Sequence, residues 1–101
     1  MAHVSANQGH DSLVLKLNAE RLDATIATDL RSEMLACVKS GSSNRVVVDL
    51  GTVTFMDSSG LGALVSVRKN IPKEHDMELR NTTEFVAKVL ELTKMDRVFS
   101  I

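Results

Sequence analysis

The chain has 101 residues, enough for one domain around a single modest core and too few for a catalytic domain with a regulatory one beside it. Lys and Arg total 12 against 13 Asp and Glu, and the formal net charge of -1 gives no electrostatic basis for binding nucleic acid or an anionic membrane surface. The single cysteine excludes an intrachain disulfide, and 3 % aromatic residues, without Trp or Tyr, argue for an aliphatic core and against a stacking platform for bases.

The first residues, MAHVSANQGHDS, lack the apolar core of a signal peptide, and no run approaches the ~20 apolar residues needed to span a bilayer, so a cytoplasmic protein is expected. Ala2 to Ala6 reads as an edge strand, NQGHD as a turn, and SLVLKL, Ser12 to Leu17, as the second strand of a hairpin. From about Asp23 to Lys39 the period turns helical, with Ile26, Leu30, Met34, Cys37 and Val38 on one stripe and Gly41 at the stop. RVVVDL, Arg45 to Leu50, is β-branched and almost continuously apolar, as a strand covered on both faces would be.

Leu61 to Ile71 reads as a second helix, and NIPKEHD, Asn70 to Asp76, as a loop holding the only proline. MELR, Met77 to Arg80, is a short strand and Thr83 to Thr93 a third helix with Phe85, Val86, Val89, Leu90 and Leu92 as its apolar stripe. RVFSI closes the chain as an edge strand. The order β-β-α-β-α-β-α-β predicts an α/β fold whose central sheet is mostly parallel, with an N-terminal edge hairpin strand and helices packed on it, in one domain over residues 1–101.

Functional groups in such sheets gather beyond the carboxyl ends of the strands. FMDSSGLGAL, Phe55 to Leu64, stands there. Asp57 or Ser58 is a suitable N-cap for the following helix. A cap needs only one such residue, yet two serines follow the aspartate, and Gly60 and Gly62 leave the first turn bare to the approach of another chain. A serine at a helix N-terminus also suits a phosphate, whose charge of about -1.5 to -2 is favoured by free N–H groups and the helix dipole. Nucleophilic catalysis fits less well. Met56 occupies the position where G-x-S-x-G needs glycine, and His3, His10 and His75 are remote in sequence. There is no phosphate-cradling G-x-x-x-x-G-K-[ST] and no metal-ligand spacing, so neither cofactor, metal nor catalytic residue is expected.

VVVDLGTVTFMDSSGLGAL, Val46 to Leu64, closely resembles the core of the bacterial anti-sigma factor antagonists, the small STAS-domain proteins. ERLDATIATDL resembles the segment opening that family's first helix, and FVAKVLELTKMDRVFSI its penultimate helix and last strand, so the resemblance spans nearly the whole chain. PKEHD replaces the glycines common before the fourth strand, Lys94 stands where a glycine often follows the helix, and no counterpart of the family's final helix follows RVFSI, so the expectation is either that one sheet edge is less covered or that the last strand is simply the end.

The resemblance implies a non-enzymatic partner switch. The unmodified protein would bind an anti-sigma factor that is also a serine kinase of the histidine-kinase-like ATPase fold. Phosphorylation of Ser58 would eject it, and a PP2C-type phosphatase would reset it. Asp57 would orient or recognise the phosphoacceptor, Ser59, Gly60, Leu61 and Gly62 would form the docking surface with it, and Asp23 would lie on the neighbouring loop. The alternative is the same switch with another output, such as secretion, motility or biofilm formation, or an accessory subunit of a transporter. Cys37 is expected as a small core residue, Met34, Met56 and Met77 as core fillers, and Arg68 and Lys69 as a solvated face.

Overall fold

The computed structural model describes residues 3–100. Strands β1 (Val4–Gln8) and β2 (Leu13–Leu17) form an antiparallel hairpin from Val4↔Leu17 to Gln8↔Leu13. The turn is closed by the Gly9 N–H donating to the Ser12 carbonyl at 2.8 Å, so β1 runs on through Asn7 and Gln8 of the expected turn. Ala2, the expected first residue of that strand, lies outside the described residues, as do Met1 and Ile101.

β4 (Arg45–Asp49) pairs in parallel with β2 on one side and with β6 (Asp76–Arg80) on the other, which gives the sheet order β1-β2-β4-β6. The mostly parallel sheet with an antiparallel hairpin edge is therefore the one the alternation of elements implies. Val46, Val47 and Val48 are all buried in its middle. Val46 and Val48 join the main core, with Leu15, Leu17, Leu30, Met34, Leu64, Leu79 and Leu90. Val47 points to the opposite face, in register with Val14 and Glu78 and beside the ion pairs that Glu78 makes with Arg45 and Arg80. Helices cover one face of this strand, and long charged side chains occupy the other.

Two further strands were invisible to the periodicity. β3 (Arg21–Leu22) and β5 (Phe55–Met56) pair in parallel as a separate two-stranded sheet. Strands of two residues have no period to read. Helix α1 (Ala27–Ser40) begins four residues after Asp23, because the Asp23 carboxylate accepts from both the N–H (3.0 Å) and the hydroxyl (2.5 Å) of Thr25 and turns the chain before the helix forms. Helix α2 (Ser58–Lys69) begins three residues before the expected Leu61, since the glycines do not delay a helix that Asp57 caps. Helix α3 (Glu84–Leu92) has Thr83 and Thr93 at its ends.

The closing strand expected at RVFSI is absent from the described residues: a 3-10 turn takes Met95–Arg97, and only Ser100 pairs with the β6 edge, through Leu79 N to Ser100 O at 2.7 Å and Ser100 N to Met77 O at 3.0 Å. Met34, Met56 and Met77 are buried core fillers. Cys37 is half-buried against the core, and that burial pushes its thiol upward.

Candidate functional site

The segment from Leu50 to Asp57 connects the end of β4 to α2 and is anchored on both sides. Leu50 N donates to the Arg80 carbonyl at 2.9 Å, and Thr54 N and Asp57 N donate to the carbonyls of Glu20 and Leu22 at 2.8 and 3.1 Å. Thr83, at the start of α3, donates its hydroxyl to the Val53 carbonyl at 2.6 Å. Asp49 accepts from Gly51 N and from the Asn81 amide, and these bonds, the backbone one foremost, hold its carboxyl below the usual range. The serines of the motif thus stand on a platform fixed by three neighbouring segments.

Asp57 is the cap. Its backbone is extended, and its Oδ1 accepts from Ser59 N at 2.8 Å and Gly60 N at 3.1 Å. Its own carbonyl accepts from Leu61 N at 3.0 Å. Two of the first-turn donors expected to be free for a phosphate, Ser59 N and Gly60 N, are therefore already taken by this carboxylate. Ser58 is the first helical residue and is exposed, whereas Ser59 is half-buried.

The β3–β5 pairing brings the two halves of the site together. Arg21 is in register with Phe55 and Leu22 with Met56, and Asp23 and Asp57 directly follow the two paired strands. Asp23 is held below the usual carboxylate range, first by the hydrogen bonds from Thr25 and then by Arg21, whose Nε lies 3.4 Å from Oδ2. The Arg21 guanidinium also sits 4.0 Å from the centre of the Phe55 ring, and Phe55 stacks on Phe85 at 5.3 Å. Arg21, Phe55 and Phe85 form a ledge beside the serines that no local sequence pattern marked, because it depends on the pairing of two very short strands.

Of the residues expected on the docking surface, Asp23, Asp57, Ser58, Ser59 and Gly62 reach the outside, and Leu61 is half-buried against the core. Gly60 does not. It is buried, and a Cβ there would lie 2.2 Å from the Leu22 carbonyl oxygen, so its bareness lets α2 pack on β3 and is not a landing place for another chain. Gly62 is open, with nothing within 4 Å of an added Cβ. It lines a shallow groove between α1 and α2 with Ser59, Ser66, Thr28 and Arg31, and Arg31 crosses it to donate to the Ser66 hydroxyl at 2.6 Å. The small residues Ser59, Gly62, Ala63 and Ser66 recur at helical spacing, a pattern the sequence carries but that the reading of its motifs passed over.

Among the described residues no group of His, Cys, Asp and Glu could hold a metal ion, and no helix is long and apolar enough to cross a membrane. The family model for the STAS domain matches residues 3–101. The anti-sigma-B factor antagonist of Bacillus subtilis is 25 % identical over 100 residues, 98 % of this chain and 89 % of that protein. A STAS-domain containing protein of Pseudomonas aeruginosa is 36 % identical over 58 residues, 56 % of this chain and 57 % of its own. The structure of an anti-sigma-factor antagonist (STAS) domain protein from Planctomyces limnophilus superposes with a TM-score of 0.85 at 28 % identity, over 99 % of this chain and 88 % of that one.

Proposed function

The chain belongs to the STAS domain family, and on that premise we propose that it is an anti-sigma factor antagonist acting as a partner switch. Unmodified, it binds an anti-sigma factor that is also a serine kinase of the histidine-kinase-like ATPase fold. That kinase phosphorylates Ser58 and releases it, and a PP2C-type phosphatase restores the binding form. The chain is a substrate and ligand in this cycle and performs no catalysis itself. The single observation that carries the reading is the exposure of Ser58 at the first position of α2, immediately after a cap that leaves its hydroxyl outside.

The cap also explains how the switch reads out. A phosphate on Ser58 gains the positive end of the helix dipole but finds Ser59 N and Gly60 N occupied by the Asp57 carboxylate, which repels it. The added charge therefore stays at the surface and alters what docks there more than it alters the fold. Asp23, Asp57, Ser59, Leu61 and Gly62 frame the docking face in this reading, and Gly60 contributes through packing alone.

The test is intact mass of the protein from its native host, before and after PP2C-type phosphatase, with peptide mapping of residues 55–68. One removable phosphate on Ser58 is expected, and none on Ser58→Ala, which stays bound to the partner. Ser58→Asp should bind at least about tenfold more weakly, a loss of ~1.4 kcal/mol from one uncompensated charge at the interface. A kinase that modifies Ser58→Ala as readily as wild type would remove Ser58 as the phosphoacceptor.

A further inference from the structure

α2 is 12 residues long, so at about 1.5 Å per residue Arg68 lies roughly 15 Å along the helix from Ser58. A second cleft of about 300 Å³ opens at that end, lined by Arg68, Lys73, His75 and Arg97 and by two carboxylates, Glu74 and Asp76. Nη1 of Arg68 is shut off from solvent there and has no hydrogen-bond partner, alone in this among the side-chain nitrogens and oxygens of the described residues. Its neighbour Nη2 donates to the Lys73 carbonyl at 3.4 Å, which fixes the guanidinium in place. Arg68 as a whole is half-buried, so the rest of its side chain is the part that lines the cleft.

The charges around it are unmatched. Arg68, Lys73 and Arg97 take part in none of the ion pairs among the described residues. Asp76 is already engaged, by Arg45 at 3.8 Å and by the Ser100 hydroxyl at 2.5 Å. Glu74 and the partial negative charge at the C-terminal end of α2 act against an anion, but three cations outnumber them.

We propose that this cleft binds a small phosphoryl oxyanion, inorganic phosphate or pyrophosphate, with the half-buried Arg68 in its wall and Lys73 and Arg97 as outer clamps. The planar fork of a guanidinium matches phosphate oxygens, and a cleft of this size sits at the lower bound of small-molecule sites. The site is separate from Ser58 and stands whether or not Ser58 is a phosphoacceptor.

The test is titration of pyrophosphate into the full chain at constant ionic strength, followed by amide NMR. Saturable shifts are expected in residues 73–77 and 97–100, with residues 57–62 unmoved. Lys73→Gln and Arg97→Gln should each weaken binding about fivefold, the scale of one partly exposed charge contact, and Arg68→Gln should abolish saturation. If Arg68→Gln does not fold, the Lys73→Gln and Arg97→Gln pair decides. Absence of saturation through the millimolar range, shifts confined to residues 57–62, or variants that bind like wild type would overturn the proposal.

Discussion

Gly60 and Gly62 lie on the same turn of α2 and answer to opposite physics. A methyl at position 60 meets the Leu22 carbonyl oxygen at 2.2 Å and the Leu22 carbonyl carbon at 2.7 Å, both backbone atoms of a strand that is itself bonded to Asp57 N. Neither helix nor strand can yield alone, so Gly60→Ala should cost about 2–3 kcal/mol and lower Tm by roughly 10 °C or more. At position 62 the methyl meets nothing within 4 Å, and the helix gains from a less flexible unfolded chain. Gly62→Ala should therefore add about 0.5–1 kcal/mol and raise Tm by a few degrees. Calorimetry on the two variants decides the matter, and shifts of the same sign would mean that α2 does not pack on β3 as described. The sequence marked both glycines as a bare surface. It could not separate them, because what fills the space over Gly60 is a residue from a strand far away in the chain.

At the level of elements, the helix ends carry the next consequence. α3 stops at Leu92, and Lys94 follows in the left-handed region at φ 63, the conformation that glycine adopts without cost. The chain therefore holds its helix end with a lysine under strain. Lys94→Gly should relieve about 1 kcal/mol and raise Tm by roughly 4–8 °C, readable in a thermal melt. Asn81 supplies the control. It is also left-handed, at φ 58, but asparagine tolerates that region, and its amide donates to Asp49 at 3.2 Å. Asn81→Gly should therefore gain nothing and lose that bond. If both substitutions stabilised equally, the side-chain bond to Asp49 would be idle. The two helix starts that the sequence misplaced share one cause: they are set by the Asp23 and Asp57 carboxylates accepting from nearby backbone N–H groups, of Thr25 and of Ser59, and not by hydrophobic period.

For the whole molecule, the parallel sheet and its three helices were legible because each long element carries its own pattern, β-branched runs in β4 and apolar stripes in α1 and α3. The site was legible only in part. Asp57, Ser58 and Ser59 are contiguous, whereas the ledge of Arg21, Phe55 and Phe85 exists only once β3 and β5 pair. The same tertiary pairing governs how the fold responds to acid. Asp23 is depressed chiefly by the Thr25 hydrogen bonds, Asp49 chiefly by Gly51 N, and Glu78 chiefly by Arg45 and then Arg80. In each case the folded form binds the proton less readily than the unfolded chain, so the unfolded state takes up more protons as pH falls. The stability these groups supply is complete above the ordinary carboxylate values near 4 and disappears as pH drops through their lowered folded values. The urea midpoint should thus be flat from pH 7 to about 5 and fall steadily below about 4.5. Salt separates the contributions. The Glu78 pairs lie on the sheet face away from the core and are screened, whereas the backbone N–H bond to Asp49 is neutral on one side and persists. Asp49→Asn should flatten the acid slope in both low and high salt, and Glu78→Gln should flatten it only in low salt. If neither variant changed the slope, the carboxylates would not be what couples this fold to pH.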